Sequence, residues 1–204
     1  MALVVLISGR GSNMRALVEA GLPVSAVISN AADAQGLEFA RSRGIATRVV
    51  EHRKFSSRDA FDTALAREID SFDPRLVALA GFMRVLGAGF VQRYAGRLLN
   101  IHPALLPSFP GLDTHARALA AGVKLHGCTV HFVTAEVDAG PIVIQAAVRV
   151  RAGESADALA ARVLAQEHVV YPRAVRWFLE GRLLVQNGVV TVKGNDAQLV
   201  LSAD

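Results

Sequence analysis

Residues 3–13 read Leu-Val-Val-Leu-Ile-Ser-Gly-Arg-Gly-Ser-Asn. Five apolar residues with no polar break describe a strand buried on both faces. Gly9 and Gly11 permit a tight turn. Ser12 and Asn13 are residues that open helices well, and a helical stretch follows to about Ala20. A strand, a glycine turn and a helix in that order point to an α/β protein.

The pattern continues outward. Val24–Ser29 reads as a second strand, Gly36–Arg43 as a short helix ended by Gly44, and Ile45–Val50 as a third strand. Ser57–Phe72 reads as a helix, with Phe61, Leu65 and Ile69 at four-residue spacing. Leu76–Ala80 and Leu98–Ile101 are further apolar strands. This alternation predicts an α/β fold with a mostly parallel, Rossmann-like open sheet and helices on both faces.

Beyond residue 102 the pattern changes. Residues 103–113 are rich in Pro and Gly and read as a loop, and Thr114–Ala121 reads as a helix. Thr129–Val133 and Pro141–Val150 are strands joined by a short link, so an antiparallel extension is expected in the C-terminal part. Ser155–Leu179 reads as a long helical stretch, broken or restarted at Pro172. Asn187-Gly188 between two apolar runs signals a hairpin. No repeat, low-complexity segment or linker divides the chain, so one domain is expected over residues 1–194, with 195–204 as a loose tail.

Composition narrows the function classes. With 52% hydrophobic residues among 204, the chain can bury a large core. The single cysteine, Cys128, excludes an internal disulfide and fits a reducing, cytoplasmic setting. No apolar run approaches a membrane span, and no basic segment precedes the first apolar run, so Leu3–Ile7 reads as a strand rather than a signal peptide. The net charge is +4, but the arginines are scattered without interleaved aromatics. Anionic small molecules are therefore better partners than nucleic acid or a membrane, and a homodimer stays open.

The glycine turn has chemistry of its own. Free N–H groups at a helix start can bind a phosphate. The dinucleotide fingerprint is incomplete, because Met14 stands where its third glycine belongs, and the second strand ends in Ser29-Asn30 with no acid for a ribose. That favours a single phosphate group over NAD. An ordinary βα turn with a good cap fits the loop equally well.

The stronger signal is Leu98-Leu99-Asn100-Ile101-His102-Pro103. Asn100 and His102 are two apart on a strand, so their side chains leave the same face. A carboxamide and an imidazole at a strand's carboxyl end can hold an oxyanion and move a proton. Alone, the pair reads better as a core histidine and an asparagine satisfying loop backbone groups. Asp138, in the turn Glu136-Val137-Asp138-Ala139-Gly140-Pro141, could bring a carboxylate to His102 and favour its charged form. His131 is a further wall candidate. A metal site of His102, His131 and Asp138 lacks a close ligand motif, so no metal is expected.

Four segments together carry a resemblance: Ile7-Ser8-Gly9-Arg10-Gly11-Ser12-Asn13, Ala80-Gly81-Phe82-Met83-Arg84-Val85-Leu86, Leu99 to Pro107, and Val137-Asp138-Ala139-Gly140-Pro141. From about residue 2 to 185 the chain resembles the phosphoribosylglycinamide formyltransferases, folate-dependent enzymes of purine synthesis. The resemblance implies the formyltransferase fold, with a phosphate-binding half over about 1–101 and a folate-side half over about 102–194. It implies glycinamide ribonucleotide as substrate and 10-formyltetrahydrofolate as formyl donor, with Asn100, His102 and Asp138 catalytic. It assigns Gly11, Ser12 and Asn13 to the phosphate and Glu167 to the substrate, where the residue alone would read as a solvated helix carboxylate. Arg58, Met83, Arg84, Val85, Leu86 and Asn100 are implied on the donor side. Arg10 falls at a variable position and takes no role. Ala104 stands where serine is frequent and Ala139 where glycine is frequent, and the segment between the first helix and the second strand is short.

The implied chemistry needs no covalent enzyme intermediate. Asn100 and imidazolium His102 would each donate to the formyl oxygen as it gains charge, and Asp138 would keep His102 charged and help carry the amine proton. Cys128 is then a core residue. Formyltetrahydrofolate deformylases and methionyl-tRNA formyltransferases resemble this chain with additional domains, and a non-catalytic nucleotide-binding module would not need all three residues.

Overall fold

Residues 2–202 are described in the computed structural model. Strands β1 (Leu3–Ile7) and β4 (Leu76–Leu79) are buried at every position, as continuous apolar runs require when both sheet faces are covered. β2 (Val24–Ser29) and β3 (Ala46–Val49) complete the first part of the sheet, and β5 (Leu98–His102) is buried except at Asn100. Helices α1 (Ser12–Glu19), α2 (Gly36–Ser42), α3 (Arg58–Asp70) and α4 (Ala88–Arg93) fall between these strands. Ser57 caps α3, its hydroxyl accepting the Ala60 N–H at 3.2 Å.

The remaining elements are α5 (Thr114–Ala120), β6 (Leu125–Phe132), β7 (Ile142–Arg149), α6 (Ala156–Leu179), the hairpin β8 (Leu183–Gln186) and β9 (Val189–Val192), and β10 (Leu199–Leu201). The main sheet has eight strands in the order β10-β7-β6-β5-β4-β1-β2-β3. The pairs β1–β2, β1–β4, β2–β3 and β4–β5 are parallel, whereas β6–β7 is antiparallel as the sequence predicts. In the hairpin turn Asn187 has φ 51° and Gly188 φ 77°, the conformation that Asn-Gly favours. The chain clusters into two compact units, Met1–Asn100 and Ile101–Asp204.

Within the first unit, the chain runs outward from β1 through β2 to β3, then returns through α3 to β4 on the other side of β1. The connections leaving the carboxyl ends of β1 and β4 therefore diverge, and such a switch point opens a crevice for ligands. The segments 8–13 and 80–87 occupy that place.

Three expectations are corrected. Helix α6 is not broken at Pro172; it runs unbroken from Ala156 to Leu179. Proline inside a helix forfeits a hydrogen bond and crowds the preceding turn. Here Val170, Tyr171, Ala174 and Val175 are fully buried and α6 packs on β6 and β7, so tertiary packing holds both halves in line. The expected loose tail contains β10, which pairs in parallel with β7 and is flanked by Gln145 N–H to Gln198 O and Ser202 N–H to Ala147 O bonds. Leu199 and Leu201 are exposed, so backbone bonding rather than apolar burial orders this strand. Strand β6 begins at Leu125, four residues before the predicted start.

Candidate active site

In the first unit the glycine turn follows β1 directly. Gly11 sits at φ 70°, a left-handed conformation that glycine adopts without penalty. The α1 ladder begins with Arg15 N–H to Gly11 O at 2.9 Å, so the amides of Ser12, Asn13 and Met14 precede it and face out of the helix start. The site of the missing third glycine is explained by packing. Met14 is fully buried, and a Cβ on Gly36 would stand 2.7 Å from Ile7 Cδ1 and 3.2 Å from both Gly11 Cα and Met14 Cε. Gly36 also donates its N–H to Gly9 O at 3.1 Å. The close approach that a third glycine would serve on α1 is supplied by Gly36 on α2. Sequence reading missed it because the contact spans 25 residues.

The segment Met83–Leu86 follows β4 and has neither helix nor strand. Met83, Arg84 and Val85 are exposed. Arg58 opens α3, and its Cδ comes within 3.8 Å of the point a Cβ on Gly87 would occupy. The structure thus brings Arg58 beside the end of this segment.

In the second unit, His102 ends β5 nearly buried. Its Nδ1 lies 3.4 Å from Asp138 Oδ2, whose side chain is 11% exposed. Its Nε2 lies 2.9 Å from the carbonyl oxygen of Phe109. A carbonyl only accepts, so Nε2 carries a proton; the carboxylate on the other side is an acceptor as well. Two acceptors therefore face the two ring nitrogens. Asp138 stands at φ 55° in its turn, a left-handed conformation that aspartate tolerates better than most residues, and its Oδ2 also accepts the Gly111 N–H at 2.8 Å. The carboxylate therefore ties the 103–113 loop to the 133–141 turn at the histidine. Phe109 holds φ 56°, where a bulky residue is strained.

Other bonds fix the loop behind His102. Thr129 Oγ1 donates to Ala104 O at 2.7 Å and accepts Leu106 N–H at 3.0 Å, and Thr114 Oγ1 donates to Pro103 O at 2.7 Å. Gln145 Nε2 donates to Leu106 O at 2.9 Å. Ala104 is fully buried, so an alanine fits there without an unpaired hydroxyl.

His131 is buried, with Nε2 3.7 Å from Asp138 Oδ1, longer than a hydrogen bond. Its Nδ1 lies 2.9 Å from Phe132 O and so carries the proton, while burial pushes its pKa down. It is a neutral wall residue. Among the described residues, no group of three or more His, Cys, Asp or Glu is arranged to hold a metal ion. Cys128 is fully buried, and burial pushes its thiol far up, which makes it inert. Glu167 is buried on α6 with 6% exposure, which corrects the solvated-carboxylate reading of that residue. No helix among the described residues is long and apolar enough to cross a membrane.

A second pair of histidines lies close by. His126 is buried with Nε2 3.2 Å from His115 Nδ1 and its ring edge-on to Phe109. Burial, followed by the neighbouring His115, pushes its pKa down to about 4. The unfolded chain protonates this histidine near pH 6.5, so stability is full above that value and falls as the pH drops toward 4. Urea unfolding at pH 7 and 4.5 is expected to show about 2 kcal/mol less acid-dependent loss in His126→Gln than in the wild type. An unchanged difference would mean that His126 is not the group responsible.

A family profile described as formyl transferase matches residues 1–175. The chain belongs to the formyl transferase family. It is 52% identical over 200 residues to phosphoribosylglycinamide formyltransferase of Escherichia coli (strain K12), covering 95% of this chain and 94% of that one. Among solved formyl transferases, the phosphoribosylglycinamide formyltransferase of Coxiella burnetii superposes with a TM-score of 0.91 at 46% identity, over 95% of this chain and 94% of that chain. A formyltetrahydrofolate deformylase from Pseudomonas syringae superposes with a TM-score of 0.87 at 29% identity, over 94% of this chain but 65% of its own.

Proposed function

We propose that this formyl transferase moves a formyl group from 10-formyltetrahydrofolate to the amine of glycinamide ribonucleotide, a step of purine biosynthesis. The observation that carries the reading is the His102–Asp138 pair at the carboxyl end of β5, two residues beyond Asn100 on the same strand. End-to-end likeness to the Escherichia coli enzyme supports the choice of substrate.

The donor supplies a formyl carbon on a nitrogen that leaves once protonated. The exposed segment Met83–Leu86, outside any helix or strand and beside an arginine at position 58, suits a flat heteroaromatic ring bearing an anionic tail. The amides of Gly11, Ser12 and Asn13 hold the 5′-phosphate, and Glu167 contacts the acceptor. Asn100 donates an amide N–H to the formyl oxygen as charge develops there, and His102 donates a second N–H. Asp138 holds the imidazolium in place and takes part in passing the amine proton to the leaving nitrogen. His102 Nε2–H is engaged by the Phe109 carbonyl, so that carbonyl must release it before it serves the substrate.

The test compares glycinamide ribonucleotide with its dephosphorylated nucleoside as acceptors. The nucleoside is expected to lose at least about a hundredfold in kcat/KM, because several charge-assisted bonds are removed together. Equal use of both acceptors would contradict the phosphate assignment. Donor turnover at the same rate with no amine present would support the hydrolase reading that the deformylase likeness raises.

A further inference from the structure

The segment Met83–Leu86 lacks the ladder of hydrogen bonds that a strand or helix would give it, yet its two ends are tied down by side chains. At one end, Ser8 Oγ accepts the Met83 N–H at 2.8 Å. The Ser8 hydroxyl in turn donates to Asn30 Oδ1 at 2.5 Å, and Asn30 Nδ2 lies 3.0 Å from His52 Nδ1. At the other end, Asp62 Oδ2 accepts the Gly87 N–H at 2.7 Å. Asp62 comes from the middle of α3 and is buried, with 6% exposure. Its second oxygen, Oδ1, is buried with no hydrogen-bond partner among the described residues.

A buried carboxylate with a half-satisfied head is unfavourable unless it serves something. Burial raises the Asp62 pKa, partly offset by the Gly87 N–H and by Arg58 and Arg84 nearby. The residue facing it is shaped to admit it. Gly87 has φ −72°, a backbone any residue could adopt, but a Cβ there would stand 2.9 Å from Asp62 Oδ2. A side chain at position 87 would press on the carboxylate and make it shift, while the backbone angle itself does not call for glycine.

We infer that Ser8 and Asp62 are positioning residues that clamp the two ends of Met83–Leu86 and thereby set the affinity for the formyl donor. Neither touches the reacting atoms. The inference rests on the reading of this segment as a wall of the donor pocket. Ser8 also begins the turn that leads to Gly11, Ser12 and Asn13, so one hydroxyl serves the start of both loops at the β1–β4 switch point. Asp62 has no such second task and isolates the donor-side effect.

The experiment uses the full chain and three variants, Asp62→Ala, Asp62→Asn and Ser8→Ala, with folding checked by circular dichroism. Calorimetry with tetrahydrofolate, in the absence of acceptor, measures donor-side affinity directly. Hydrogen exchange of the Met83 and Gly87 amides measures the clamp itself. Asp62→Ala is expected to weaken tetrahydrofolate binding and raise the donor KM by about tenfold, with kcat and the acceptor KM changed less than about twofold. It should also speed exchange at Gly87. Asp62→Asn keeps an oxygen that accepts the Gly87 N–H and should recover most of the affinity, and Ser8→Ala should speed exchange at Met83 and weaken donor binding similarly. Faster exchange with unchanged tetrahydrofolate affinity would overturn the inference, and so would unchanged exchange. A wild type that binds tetrahydrofolate but does not formylate glycinamide ribonucleotide would overturn the proposed function alone.

Discussion

Asp138→Asn is expected to lower kcat by about a hundredfold or more, while the dissociation constant of glycinamide ribonucleotide stays nearly unchanged. The asparagine has the same shape, and its amide oxygen can still accept the Gly111 N–H that Asp138 Oδ2 accepts at 2.8 Å. What it loses is the negative charge 3.4 Å from His102 Nδ1. In the proposed mechanism that charge faces Nδ1 while Nε2 donates to the formyl oxygen. The loss therefore falls on the transition state and not on ground-state binding. Steady-state kinetics with calorimetry of the substrate decide it. A kcat close to normal would show that the carboxylate is a turn residue and that the coupling to His102 is wrong.

Asn100→Ala is expected to reduce kcat by a similar factor through a different route. One donor to a developing oxyanion is worth roughly 3 kcal/mol, about a hundredfold in rate. Asn100 is the single position of Leu98–His102 that is not buried, so truncation leaves the strand's packing intact. The KM values should change little, because the amide acts on charge that appears only in the transition state. Asn100→Asp should be worse than alanine, since it places an anion where an anion forms. If both variants instead raise the donor KM with kcat preserved, Asn100 is a binding residue and not an oxyanion donor.

The parts of the fold legible in the sequence were those written in hydrophobic pattern. The runs at 3–7 and 76–79 are wholly apolar and 98–101 is apolar except at Asn100, and they lie in the strands β1, β4 and β5. Turn chemistry was equally legible at Asn187-Gly188. Elements ordered by their neighbours were not. Helix α4 has six residues and begins Ala-Gly, too short and too flexible to show a period. Strand β10 takes its order from the backbone of β7 while its leucines face solvent. Pro172 signals a break that the packing of α6 overrides.

The site divides in the same way. His102, Asn100 and Asp138 stood out because their side-chain chemistry is unusual where apolar strands end. The structure brings His102 to Asp138 across 36 residues of chain, with Gly111 as the common link. Residues that act on backbone atoms left no trace in the pattern. Asp62 lies beside Phe61 on a helix whose apolar spacing already explained its packing, and nothing local shows that its carboxylate meets the Gly87 amide. Phe109 is an ordinary loop residue in the sequence, and only the folded loop brings its carbonyl to His102 Nε2.

The fate of the formyl carbon tests the central claim most directly. With a donor carrying ¹³C in the formyl group and equimolar glycinamide ribonucleotide, NMR should show the label entering the amide formyl of the ribonucleotide, one for each tetrahydrofolate released. Label appearing as free formate, with the ribonucleotide unchanged, would contradict it.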